Sequence, residues 1–374
     1  MFRAVAPAGQ TKPATIRVAH LPVYPENAYQ PLLFSALAET GVQVIQGGGG
    51  GNFFRTARFK WKADILHFHW VHPYILRPGR LGTVVRGTRF IAELTALKRA
   101  GQRIVWTVHN LKNHERHQLG LEWFFTRQFV RLADAIIAHS QYAKKAAAEH
   151  FRIRVPERLV VIPHGNYIKQ YGGRSDRRDA RSRLGIDADA VVFLLFGRLH
   201  AYKGVIELLE AFSQIQHQAV LILAGPPADK QTEDLIESKC AALSSVIFHP
   251  RYVPDQEVSA YFSACDAVVL PYHDVLTSGS GILAMSLGKA CIAPNIGSLP
   301  ETFAAAGALL YDAKKKDGLL DAMRAAIARK SDLGQMGAAN LARAQEWSWE
   351  RVAEQTRAVY RGLKREEGRG KKKN

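Results

Sequence analysis

The sequence predicts an α/β protein made of two doubly wound domains, and three observations carry that expectation. Apolar strand-like runs alternate with helical stretches along the chain, which is the pattern of a parallel sheet. In residues 191–301 each run ends in Gly, Pro, Arg, Lys or Ser, and ligands of open parallel sheets sit outside the carboxyl ends of the strands. The 374 residues, 47% hydrophobic and 22% charged, suffice for two cores of ordinary size.

The first half reads in order. TIRVAHLP (15–22) is a strand, and NAYQPLLFSALAETG (27–41) a helix stopped by Gly41. VQVIQ (42–46) and ADILHFHW (63–70) are strands, followed by a helix over 89–101 and a strand over 102–110. A helix over 121–133 precedes the strand DAIIAHS (134–140). Ser140 then caps the helix SQYAKKAAAEHF (140–151), and RLVVIPHG (158–165) closes the domain. The expected boundaries are 1–168 for the first domain and 169–345 for the second, with a hinge at Gly165–Gly173. A helix over 346–363 and a basic tail, 364–374, without fixed structure complete the chain.

Charge and cysteine usage narrow the class. The formal net charge of +18 calls for an anionic partner, and an anionic membrane surface is the expectation. Nucleic acid is not expected, because no helix-turn-helix, zinc-finger or RNA-binding signature is present. Cys240, Cys265 and Cys291 show no C-x-x-C spacing, as in a reduced interior without zinc. The first residues lack the apolar run of a signal peptide, and no stretch is apolar for long enough to span a bilayer. A cytoplasmic protein, peripheral on the inner face of the plasma membrane, is expected.

Two motifs point to an anion. VVFLLFGRLHAYKG places Gly197 and Arg198 after a strand, and Lys203 and Gly204 before a helix. Two cations and free N–H groups at one helix N-terminus suit a diphosphate. In AVVLPYHDVLTSGSG, Ser278, Gly279, Ser280 and Gly281 form a strand-to-helix turn of small residues that lets the backbone approach a phosphate or sugar closely.

The ordered set GRLHAYKG, LILAGPP, AVVLPY, TSGSG, SLGKACIAP and GSLPE resembles the nucleotide-binding half of GT-B glycosyltransferases of the family 4 type. That family usually places two Glu eight residues apart before the Gly-Lys turn. Val275 and Leu283 stand at those positions here. The stretch PYHDVLTSGSGILAMSLGKACIAP is similar instead to a divergent set that includes bacterial exopolysaccharide β-mannosyltransferases acting on lipid-linked sugars. The resemblance implies a GT-B fold, with an acceptor-binding first domain and a nucleotide-sugar-binding second domain. The last helix crosses back to the first domain. It implies no cofactor or metal, and GDP-sugar rather than UDP-sugar as donor. The donor site would use Gly197, Arg198, Lys203, Ser278, Gly279, Ser280 and Gly281. The backbone at Val253 in RYVP would meet the base. Glu301 in SLPE would bond the ribose or cap the following helix.

His109, ending the strand WTVHN, matches a His that faces the donor sugar in family 4 enzymes. Imidazole can bond a sugar hydroxyl or take a proton. If the reaction inverts, a base must deprotonate the acceptor, and His109 and Glu115 are the candidates. Asn110 follows in the same loop. HFHWVHP puts His67 and His69 on one strand face with no carboxylate or Cys beside them; His69 and Trp70 are read as acceptor-cleft residues rather than metal ligands. Asn27 and Tyr29 are candidates for acceptor contact, or simply a helix entry. Aromatic residues interleaved with cations at 47–62 and 121–131 suit a membrane surface. The sequence thus predicts a glycosyltransferase moving a sugar, mannose favoured, to a lipid-linked saccharide in surface polysaccharide or glycolipid synthesis. A sugar-nucleotide epimerase of the same fold, or a non-catalytic partner in an assembly complex, are the alternatives.

Overall fold

The structure, a computed structural model, describes residues 15–24, 26–48, 56–113, 117–173 and 175–370. Each half carries a six-stranded parallel sheet. The first contains β1 (Ile16–Leu21), β2 (Val42–Gln46), β3 (Ile65–Phe68), β4 (Arg103–Thr107), β5 (Ala135–Ala138) and β6 (Leu159–Val161), in the spatial order β2-β1-β3-β4-β5-β6. The second contains β7 (Val191–Phe196), β8 (Ala219–Ala224), β9 (Val246–His249), β10 (Ala267–Val269), β11 (Ala290–Pro294) and β12 (Ala308–Tyr311), in the order β12-β11-β10-β7-β8-β9. Central strands such as VVFLLF and AIIA are buried at every residue, as strands covered by helices on both faces must be.

The strand order locates the sites. Crossovers leave a sheet in opposite directions at a switch point, and a crevice opens there beyond the strand ends. In the first sheet that point lies between β1 and β3, so the residues after Leu21 and Phe68 line it. In the second it lies between β7 and β10, so the loops beginning at Gly197 and Leu270 line it.

Local signals set the helix starts. Ser140 Oγ accepts from Ala143 N at 2.9 Å and opens the helix Gln141–Phe151. Asp176 accepts from the N–H groups of Arg178 and Asp179 and opens the helix Arg177–Arg183 of the second domain. The helix Arg80–Arg99 begins nine residues before the expected position 89. Gly82 and Gly87 weaken its local signal. Packing demands Gly87, because a Cβ there would lie 2.6 Å from the Phe125 ring.

The final helix, Trp349–Gly370, runs past the expected end at 363, and 371–374 lie outside the described residues. It crosses back to the first domain: Trp349, Val352, Ala353, Tyr360 and Leu363 share a core with Val18, Leu33 and Leu37. Cys240, Cys265 and Cys291 are free thiols. Among the described residues no helix is long and apolar enough to cross a membrane.

Candidate active site

The second domain builds an anion cradle at its switch point. Gly197 leaves β7 with φ +96°, a conformation that costs other residues dearly. A Cβ there would stand 3.3 Å from Ser280 Oγ and 3.4 Å from Lys203 Nζ, so both side chains crowd the Gly197 backbone. Ser280 Oγ donates to the Phe196 carbonyl at 3.1 Å. Ser278 caps the helix Gly279–Ser286 by accepting from Gly281 N at 2.9 Å, and its hydroxyl also meets Tyr272. Gly279 is exposed and Gly281 buried. Lys203 is 8% exposed, and burial brings its ammonium down to about 8. Among the described residues no carboxylate pairs with Lys203 or with the exposed Arg198. A buried ammonium without a counter-ion beside a helix N-terminus is electrostatically incomplete, and an anion completes it.

The first domain answers with histidines. His109 Nε2 lies 3.3 Å from His69 Nδ1, and His69 Nε2 lies 3.0 Å from His20 Nδ1. Three imidazoles thus form one hydrogen-bonded chain from the cleft inward. His67 stacks on His69 with centroids 4.5 Å apart. Its nitrogens meet Tyr360 Oη at 2.6 Å and Thr107 Oγ1 at 2.7 Å. Burial, then the neighbouring imidazoles, pushes His20, His67, His69 and His109 well below the usual histidine range. Burial holds His139 at about 4 and His164 at about 3. All six rings are neutral at pH 7. His20, His67 and His69 come close enough to share a cation. However, five of their six nitrogens already have hydrogen-bond partners, His20 Nε2 being the exception.

The candidate residues of the first domain divide into surface and support. His69, Trp70 and Asn110 line one small cavity together. Trp70 stacks on His109 at 4.7 Å, and Asn110 Nδ2 donates to the Lys112 carbonyl at 2.7 Å. Tyr29 is 4% exposed and packs against His69, His109, His139, His164 and Trp349, supporting the cluster from beneath. Asn27 is a helix entry, its Oδ1 accepting from Tyr29 N at 3.1 Å. Glu115 lies outside the described residues. Sequence reasoning missed Glu122, which lines the same cavity as Trp70. Its carboxylate accepts from Asn113 Nδ2 at 2.6 Å, and burial raises its pKa.

Glu301 makes a contact that the sequence did not announce. Its two carboxylate oxygens accept from the backbone N–H groups of Gln141 and Tyr142, each at 2.9 Å. It therefore caps a helix of the opposite domain rather than the one that follows it, and clasps the cleft. Val253 is 6% exposed and packs in the core, which leaves only its backbone for a ligand. Half of the described aromatic residues expected at a membrane are core: Trp61, Phe125 and Phe129 are buried, Trp123 is half-buried, and Phe59 and Phe124 are exposed. Residues 49–55 lie outside the described residues.

Comparison with known proteins agrees with this geometry. The family model described as Glycosyltransferase Family 4 matches residues 51–166, and that described as Glycosyl transferases group 1 matches 176–342. Sucrose-phosphate synthase from Thermosynechococcus elongatus shares the fold, with TM-score 0.72 and 20% identity over 93% of this chain and 99% of that one. Anabaena HepE in complex with UDP and glucose gives 0.70 and 16%, over 92% and 99%. Two doubly wound domains facing a cleft, with this pair of matches, define a GT-B glycosyltransferase. Within that class the chain carries a family 4-like domain in its first half and a group 1-like domain in its second. The GDP-mannose:glycolipid 4-beta-D-mannosyltransferase of Xanthomonas campestris pv. campestris is 28% identical over 277 residues, 70% of this chain and 72% of that protein.

Proposed function

We propose that this glycosyltransferase moves mannose from GDP-mannose to a lipid-linked saccharide at the inner face of a bacterial membrane, for surface polysaccharide or glycolipid synthesis, without a metal. The observation that carries the reading is a pair of unlike sites, the cradle of Gly197, Lys203 and Ser280 in the second domain and the neutral imidazole of His109 stacked on Trp70 in the first, with a cavity lined from both domains beside them. Similarity to the glycolipid mannosyltransferase supports the donor and acceptor.

In this reading the diphosphate lies against Lys203, Arg198 and the start of the helix Gly279–Ser286. Charge that develops on the leaving group meets fixed cations and N–H dipoles, which is where such a site lowers the barrier. His109 faces the acceptor with Trp70 as a platform for its sugar. The exposed Leu81, Val85 and Phe124 lie on two helices that pack together, among Arg80, Arg89 and Arg127, and suit an anionic headgroup layer.

The test is transfer of labelled mannose from GDP-mannose to bacterial membrane glycolipid by the purified protein, in EDTA. Transfer that falls about 100-fold in kcat in His109→Ala supports the reading. Transfer from no nucleotide sugar sinks it. Rescue of His109→Ala by azide, with altered product, identifies an inverting reaction with His109 as base.

A further inference from the structure

A second cavity lies between the domains. His139 and His164 line it from the first, and Thr277, Ile282, Ser298 and Trp347 from the second. Three polar atoms on its wall, His139 Nε2, Thr277 Oγ1 and Ser298 Oγ, are buried without a hydrogen-bond partner. Buried polar atoms are nearly always paired, so three orphans on one cavity mark a place where a ligand bonds.

The chemistry of that ligand follows from the atoms. His139 Nδ1 lies 2.9 Å from the Ile162 carbonyl, an acceptor, so Nδ1 carries the proton and Nε2 presents a lone pair. His164 is fixed the same way by the Gly165 carbonyl at 2.8 Å. Thr277 and Ser298 offer hydroxyls, which donate and accept. No ionised side chain lines the cavity, and Ile282 and Trp347 give it an apolar side. A neutral polyol with an apolar face fits this set; a phosphate or a carboxylate does not.

Position narrows it further. Thr277 precedes the cap Ser278, and two residues on Ser280 joins the anion cradle. The His139 ring is 5.2 Å from that of His109. The cavity therefore lies between the diphosphate cradle and the His109 wall. We infer that His139, Thr277 and Ser298 are the hydroxyl-binding residues for the hexosyl group of the donor. The two positions at which the resembling family carries Glu hold Val275 and Leu283, each 7% exposed and packed in the core, so hydroxyl recognition falls to other residues here. The inference rests on the transferase reading above.

The cavity measures about 20 Å³, room for one water and not for a hexose. Sugar binding therefore requires the domains to part. The Glu301 clasp crosses between the domains beside this cavity, holding Gln141 and Tyr142 next to Ser140, another residue of the cavity wall, so parting there would break it.

Calorimetric titration with GDP and with GDP-mannose separates the outcomes. Thr277→Val and Ser298→Ala are each expected to weaken GDP-mannose about tenfold, the cost of one lost hydrogen bond, and to leave GDP unchanged. Thr277→Ser, which keeps the hydroxyl, retains wild-type affinity for both. Wild-type binding of both ligands with no selective loss in either variant overturns the subsite alone. A wild-type protein that binds neither ligand overturns the subsite and the proposed donor together. Unaltered thermal melting of the variants shows that the fold is intact.

Discussion

The two walls of the cleft are built by opposite means. The cradle is a backbone device: Gly197 at φ +96°, Gly204 at φ +67° and a helix start capped by Ser278. Its single buried charge, Lys203, has been left without a counter-ion. The histidine wall is a side-chain device, in which neutral rings from β1, β3 and the ends of β4, β5 and β6 bond and pack with one another. The first wall needs its ligand to be complete, and the second is already largely complete. The cradle thus stores affinity for an anion, whereas the histidine wall stores stability and a fixed geometry.

Acid should separate the two most strongly. A buried histidine whose folded pKa is depressed stabilises the fold fully above about 6.5, and that contribution is lost as pH falls toward the folded value. His139, at about 4, sets the window at roughly pH 6.5 down to 4. Each such ring contributes up to about 1.4 kcal/mol per pH unit within it. Calorimetry at pH 5 should show the first domain melting well before the second. A single transition that shifts little between pH 7 and 5 would contradict the neutral cluster.

Lys203→Met should act in the opposite sense on fold and function. GDP affinity is expected to fall about 100-fold, through loss of a charge-assisted contact. Melting temperature should hold or rise, because an unpaired buried ammonium is removed. In the wild type, GDP binding raises the Lys203 pKa above about 8, so binding takes up protons near pH 8 and weakens above it. Proton uptake measured in two buffers checks the sign.

Glu301→Gln should have the smallest effect. The clasp is solvent-exposed, and a carboxylate at a helix N-terminus contributes about 0.3–1 kcal/mol. Small-angle scattering of the ligand-free variant should show a larger radius than the wild type, with GDP affinity kept within a few-fold. An equal radius would mean that other contacts hold the cleft closed.

The same contrast explains what could be read in the sequence. Strand alternation, the cap Ser140 and the small-residue turn at Ser278–Gly281 are local, so the two sheets and the cradle were legible. Gly197, Lys203 and Gly204 lie within eight residues, and their spacing alone suggests an anion. The histidine wall was only half legible. The period-two pair His67 and His69 announced one face, but His20, His139 and His164 join it through neighbouring strands, which no spacing encodes. The Glu301 clasp was not legible, because its partners lie 160 residues away, on a helix of the other domain. Glu122 looked like one more charge in a basic helix, since its partner Asn113 sits in a loop without regular pattern.

Tyr360 carries a consequence of another kind. A chain is made from its first residue onward, and domains generally fold as they emerge. Here the partner of His67 Nδ1 arrives 293 residues later, together with the Trp349, Val352 and Ala353 side chains that cover Val18, Leu33 and Leu37. Until then the first domain has an uncovered apolar seam and an unpaired ring nitrogen. Its assembly is therefore not strictly vectorial: the half that is synthesised first is finished last.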